Sequence, residues 1–240
     1  MSRLFEELDY QPTPIGPVSL RRRRLLHLDR DVVEVMLGEE HLMSSLFTEG
    51  ERALASLGLA AAQGENLSVV VGGLGLGYTA AAALDDPRVS ELLVVEYLAP
   101  VIDWHRRGLV PLGERLCGDA RCRFVQADFF AAARAAAPAF DPDAPGRRFD
   151  AILLDVDHAP DRLLNPTHGD IYTAEGLARL TEALKPITRS LRSCEYGAGI
   201  SPPMASSSRT LANQQGPENP SLYVSICSET AHMGLSPSRV

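Results

Sequence analysis

Gly72, Gly73, Gly75 and Gly77 crowd the turn that follows the apolar run in LSVVVGGLGLG, and nineteen residues past Gly77 a second apolar run, LLVVE, ends on Glu96. Glycine lets the backbone take positive φ and approach a ligand with no Cβ in the way, while an acid at the next strand's end can accept hydrogen bonds from ribose hydroxyls. The chemistry suited to this pairing is the holding of a nucleoside or nucleotide. A glycine-rich turn also occurs where only close packing is needed, and the acid at the expected distance is what favours a ligand. Two further acids close apolar runs downstream, Asp128 in FVQADFF and Asp155 in FDAILLDVDHAP. Asp128 also stands where a helix N-cap is expected, ahead of FFAAARAAA.

The elements that must position these residues read as an α/β chain. From residue 67 strands and helices alternate: LSVVV, a helix over YTAAAAL, ELLVVE, a helix around PVIDWHRRG, CRFVQAD, an alanine-rich helix and FDAILLDVD. Such alternation predicts a parallel sheet with helices on both faces, and in such sheets ligands sit outside the carboxyl ends of the strands. The glycine turn, Glu96, Asp128 and Asp155 would then share one crevice. Upstream, VSLRRRRLLHL and DVVEVMLG predict a small N-terminal β-hairpin, and residues 45–62 an amphipathic helix.

Composition narrows the classes. With 240 residues and 45% hydrophobic content the chain can bury a full core. The net charge of −8 argues against nucleic-acid binding and tolerates a cationic small substrate. The basic run Arg21–Arg24 reads as the solvated face of an edge strand or hairpin. MSRLFEELDYQPTPIGP lacks the apolar stretch of a secretory signal and no run is long enough to span a bilayer, so a cytoplasmic location without a membrane partner is expected. Cys117, Cys122, Cys194 and Cys227 have no paired metal-ligand spacing, and no metal is expected. His105 reads as structural or exposed, and His168 as bonding within its own loop.

The succession GGLGLG, VVEYLAPVIDWHR, FVQADFF, FDAILLDVDHAP and IYTAEGLARLTEALKP, over roughly residues 25–186, resembles the spermidine synthase (polyamine aminopropyltransferase) family. The resemblance implies a Rossmann-like class I S-adenosylmethionine-dependent methyltransferase fold. It also implies decarboxylated S-adenosylmethionine, or S-adenosylmethionine, as co-substrate, a small amine such as putrescine as acceptor, and a homodimer. By motif, Gly72, Gly73, Gly75 and Gly77 would line the methionine-derived part of the nucleoside, Glu96 would bind the ribose, and Asp128 would face the adenine amino group. Asp155 would be the base, Asp157 or His158 would hold the amine or relay a proton, and Tyr172 resembles a tyrosine found before the following helix. Gly75 stands where the family has an Asp that contacts the aminopropyl amine, His158 stands where a second loop Asp is expected, and the glutamine-containing N-terminal motif has no clear counterpart.

These departures keep two alternatives in view, a small-molecule methyltransferase using S-adenosylmethionine and a non-catalytic nucleoside-binding relative. A nicotinamide dehydrogenase ranks lower: Gly75, Gly77 and Ala80 satisfy Gly-x-Gly-x-x-Ala, yet Asp128 and Asp155 then go unexplained. Three regions are expected: an N-terminal β-hairpin region and helix over 1–62, a nucleoside-binding domain over 63–186, and a Ser- and Pro-rich tail over 187–240 of disordered composition. No fifth apolar strand follows LKP, so the C-terminal strands are expected to be missing or atypical. SLYVSIC is the tail's one strand-like stretch.

Overall fold

The computed structural model describes residues 4–137, 139–156, 164–185 and 222–223. Strands β5 (Leu67–Gly72), β6 (Val89–Glu96), β7 (Cys122–Gln126) and β8 (Ala151–Leu154) form a parallel sheet that, with β9 (Leu222–Tyr223), runs in the order β7-β6-β5-β8-β9. Every residue of β5 and of β8 is buried, because helices cover both faces and leave no side for polar residues. Alternate side chains feed opposite layers. Val69, Val71, Leu92, Val94 and Leu153 pack beneath α1 (Glu49–Ala61), α2 (Tyr78–Asp85) and α3 (Ala99–Arg106). Val70, Leu93, Val95, Ile152 and Leu154 meet α5 (Phe129–Arg134) and α6 (Ala174–Glu182) on the other side. A short α4 (Gly113–Gly118), absent from the sequence-based expectation, precedes β7.

The tail supplies the atypical C-terminal strand that the sequence led one to expect. Leu222 and Tyr223, within the SLYVSIC stretch, pair in parallel with Ile152 and Leu153, so β8 has a neighbour on its outer side. The fifth position is filled, by an atypically short strand reached through a long connection. The rest of 187–240 lies outside the described residues.

The N-terminal region is larger than a hairpin. β1 (Phe5–Gln11), β2 (Val18–Leu25), β3 (Arg30–Leu37) and β4 (Glu40–Ser44) form a four-stranded antiparallel sheet in sequence order. β2 is therefore an inner strand, not an edge. The Arg21–Arg24 run sits opposite acids on both neighbours: Arg21 faces Glu7 at 3.8 Å, Arg22 pairs with Glu6, Arg23 with Glu34, and Arg24 with Asp29 and Asp31. Opposite charges across antiparallel strands support the register, and this use of the run needs no outside partner.

Asp9 of β1 fastens the small sheet to α3, which packs on the large one. Its Oδ2 accepts the indole N–H of the fully buried Trp104 at 2.7 Å, with the Arg107 guanidinium 3.3 Å away. Burial works to raise the Asp9 carboxyl, and the bonds from Trp104 and Gln11 together with Arg107 outweigh it and hold it below the usual range. A depressed carboxyl contributes stability that is present at neutral pH and lost as the pH falls through the folded-state value. Asp9→Ala strands a buried donor and is expected to cost about 1–3 kcal/mol in denaturant unfolding at neutral pH, with Asp9→Asn, which keeps an acceptor, costing less. Equal stability of Asp9→Ala and the parent would mean that this bond does not hold the small sheet to α3.

Candidate functional site

The turn after β5 is shaped by positive φ at Gly73 (+94°), Gly75 (+48°) and Gly77 (+90°). Gly73 and Gly75 face a cavity, whereas Gly72 and Gly77 serve packing. A Cβ on Gly72 would come within 2.6 Å of the Phe129 ring, and one on Gly77 would meet Leu116 at 2.5 Å and His105 Nε2 at 3.0 Å. His105 is buried, and its Nδ1 lies 2.9 Å from the Val101 carbonyl, which can only accept, so Nδ1 carries the proton. Burial holds its pKa below the ordinary value and keeps the ring neutral. Its part is structural, beneath the turn.

Four of the turn's amides have partners within the protein. Gly73 N–H donates to Val95 O at 2.9 Å, Leu74 N–H to Glu96 Oε2 at 2.9 Å, Leu76 N–H to Met43 Sδ at 3.0 Å and Gly77 N–H to Leu74 O at 2.7 Å. The nearby Gly75 amide also helps draw the Glu96 carboxyl down. Glu96 is buried, and its second oxygen takes the Leu98 amide at 2.7 Å. Burial raises the Glu96 carboxyl above the usual range against the pull of these amides. This acid therefore pins the glycine turn as well as bordering the cavity.

The cavity, of about 230 Å³, lies between the two sheets at the carboxyl ends of β5, β6 and β8. Ile15, Val35, Leu42 and Met43 roof it from the N-terminal sheet. Val95, Glu96, Tyr97 and Leu98 follow β6, Asp128, Phe129 and Phe130 open α5, and Asp155 and Val156 follow β8. Leu164, Asn165 and His168 complete the wall, where the His168 ring stacks on Phe130 with centroids 3.7 Å apart.

Asp128 is exposed and caps α5, its Oδ1 accepting Ala131 N–H at 3.0 Å, so the capping alternative holds while the residue also borders the cavity. Asp155 accepts the Thr79 hydroxyl at 2.5 Å, and burial raises its carboxyl above the ordinary range against that bond. Tyr172, in a 3-10 turn over Pro166–Tyr172, packs with the second core and does not line the cavity. Asp157 and His158 lie outside the described residues.

Met43, Glu51 and Thr79 are among the residues of the site that were not anticipated. Thr79 and Met43 reach it through tertiary packing that leaves no local pattern. Glu51 did leave one: the buried face of α1 is Glu51, Leu54, Ala55, Gly58 and Leu59, a helical stripe in which one position is a carboxylate. Among the described residues that line the cavity there are four acids, Glu51, Glu96, Asp128 and Asp155, and no lysine or arginine. Such a lining suits a cation and repels an anion. No group of three metal-ligating side chains occurs among the described residues, and no helix among them is long and apolar enough to cross a membrane.

The strand order, the glycine turn and the crevice at the strand ends define a Rossmann-like class I methyltransferase fold preceded by a small β region. Among solved structures the chain is similar to a spermidine synthase in complex with the transition state analogue AdoDATO, with a TM-score of 0.57, 19% identity and coverage of 75% of this chain and 55% of that one. It is also similar to the spermidine synthase from Thermotoga maritima, with a TM-score of 0.54, 18% identity and coverage of 75% and 53%. At these identities the likeness is one of fold. The chain spans about half the length of the structures it matches, at 55% and 53%. No family model matches the sequence, and no curated protein matches it.

Proposed function

We propose that the protein is a spermidine synthase-like transferase that moves an aminopropyl group from decarboxylated S-adenosylmethionine to a small amine such as putrescine. The observation that carries this reading is the acid-lined cavity at the strand ends, with four carboxylates and no lysine or arginine among its described lining residues. Decarboxylated S-adenosylmethionine is a sulfonium with an ammonium and no carboxylate, and it complements such a lining. S-adenosylmethionine brings a carboxylate that would meet no cationic side chain among these residues, while the Gly73, Leu74, Leu76 and Gly77 amides of the turn are already bonded. The same two features disfavour a pyrophosphate, which needs amides aimed at it, and so a nicotinamide dinucleotide. The spermidine synthase neighbours, one holding a transition state analogue, support the same reading at the level of fold.

In the proposed reaction the acceptor's neutral amine attacks the aminopropyl carbon next to the sulfonium. A C–N bond forms, the C–S bond breaks with its electrons going to sulfur, and methylthioadenosine leaves. The acceptor is an ammonium at neutral pH, and before the attack it gives one proton to Asp155, whose raised carboxyl is better matched to it than an ordinary aspartate and passes it on to solvent; the product then carries the new secondary ammonium. The Thr79 hydroxyl orients that carboxyl through its 2.5 Å bond. Holding the two substrates in line supplies much of the remaining rate.

A thermal melt with each nucleoside tests the reading, because a ligand that binds only the native state raises the midpoint. At a hundredfold excess over Kd, decarboxylated S-adenosylmethionine is expected to raise it by about 5–10 °C, with methylthioadenosine next. A larger shift with S-adenosylmethionine would point to methyl transfer instead, and no shift with any of the three would remove the nucleoside reading.

A further inference from the structure

The residues that roof the cavity from the N-terminal sheet, Ile15, Val35, Leu42 and Met43, are all apolar. Consecutive residues of a strand normally point to opposite faces, yet Leu42 and Met43 both line the cavity. The cause is a break in register. Met43 opposes Val35 and His41 opposes Met36, which leaves Leu42 as an extra residue in the ladder between β3 and β4. A bulge of this kind re-aims a side chain, and here it widens the apolar roof by one leucine. The turn from β1 to β2 adds Ile15, 43% exposed. Its polar groups close on one another: Thr13 and Gly16 exchange both backbone bonds at 3.2 Å, and the Thr13 hydroxyl donates to Gly16 O.

The carboxylates of the cavity belong to other elements, and the glycine turn links one of them to the roof. A Cβ on Gly73 would drive into the Asp155 carbonyl, and one on Gly75 into Met43 Sδ. An amine held at Asp155 therefore has the roof within reach of a short chain. Only one nitrogen of the acceptor reacts, so what the roof meets is the acceptor's far end. A second ammonium carried there would leave water for Val35, Leu42 and Met43, none of which can answer its charge. A methyl group in the same place gains from the burial.

We propose that the acceptor is a primary monoamine with an apolar tail, and that Val35, Leu42 and Met43 are the contacts that select it. The inference rests on the transferase reading and narrows its acceptor: among small amines it ranks such a monoamine above a diamine.

Pentylamine and putrescine test it, because their chains are equally long and differ by a terminal methyl in place of an ammonium. With decarboxylated S-adenosylmethionine as donor, kcat/KM of the full chain for pentylamine is expected to exceed that for putrescine by about 10- to 100-fold. Each methylene from propylamine to pentylamine should add about fourfold. Leu42→Glu supplies the roof with a carboxylate and should cut the preference by about tenfold, with methylthioadenosine binding retained as the sign of an intact fold. Ile15→Glu makes the same change at an exposed position, where folding is least disturbed. Equal use of the two amines, or a preference for putrescine, would overturn the apolar-tail assignment while the transferase reading stands. A preference that both variants leave intact would remove the roof as its source and overturn the assignment again. Transfer to neither amine would overturn the transferase reading, and the inference with it.

Discussion

Asp155→Asn is expected to lower aminopropyl transfer by about 10²- to 10⁴-fold, the range that a positioned general base contributes, while leaving the protein as stable as before or more so. The two halves of this expectation have one cause. Burial raises the Asp155 carboxyl in the folded protein, so the native state binds that proton more tightly than the unfolded chain does. The resulting stability is fully present below the unfolded-state value of about 3.9 and is lost as the pH rises through the folded-state value. Above the unfolded-state value the raised carboxyl therefore costs the fold some stability, and asparagine removes that cost. Its amide oxygen can still accept the Thr79 hydroxyl, so the bond at 2.5 Å has a neutral replacement. The midpoint of thermal unfolding at pH 7–8 should match or exceed that of the parent, and the parent's rate should rise with pH along an acidic limb displaced above the ordinary aspartate range. A variant that loses activity and stability together would mark Asp155 as structural, and one that keeps full activity would remove it as the base.

The parallel sheet could be read from the sequence because strands buried on both faces leave unbroken apolar runs, as in LSVVV and ELLVVE, with glycines and acids at their ends. That reading placed the glycine turn, Glu96, Asp128 and Asp155 in one crevice, where Gly73, Gly75 and the three acids border the cavity. It did not foresee that Glu96 and Asp128 also answer backbone amides, since which amide a carboxylate meets depends on turn geometry. The N-terminal sheet was under-read because β1, FEELDYQ, carries exposed and half-buried polar residues and has no apolar run to betray it. Met43 and Thr79 act through partners 33 and 76 positions away, separations that no local pattern encodes. The pairing of Leu222–Tyr223 with β8 falls outside local patterns too, because two residues carry too little periodicity to fix a register.

Gly73→Ala is expected to be the most destabilising of the glycine changes, by about 3–5 kcal/mol, through two separable effects. The first is conformational: φ at Gly73 is +94°, where an L-residue with a Cβ pays of order 1–3 kcal/mol. The second is steric. The added methyl would drive into the Asp155 carbonyl oxygen, with the carbonyl carbon at 2.9 Å and Val156 Cγ2 at 3.3 Å. That carbonyl is backbone and cannot swing aside, because Asp155 N–H donates to Gly72 O at 2.8 Å and Gly73 N–H to Val95 O at 2.9 Å, locking the ends of β8, β5 and β6 together. Relief would require the strands to part where the cavity is built, so ligand binding should fall with stability. Gly64→Ala isolates the first effect, since Gly64 has nearly the same φ, +91°, and nothing within 4 Å of its missing Cβ. The difference between the two variants in denaturant unfolding then measures the close approach alone, and it should be about 2 kcal/mol or more. Equal losses in the two would mean that the strand ends stand further apart than the turn requires, and with them the Asp155 carboxylate that the proposed chemistry uses.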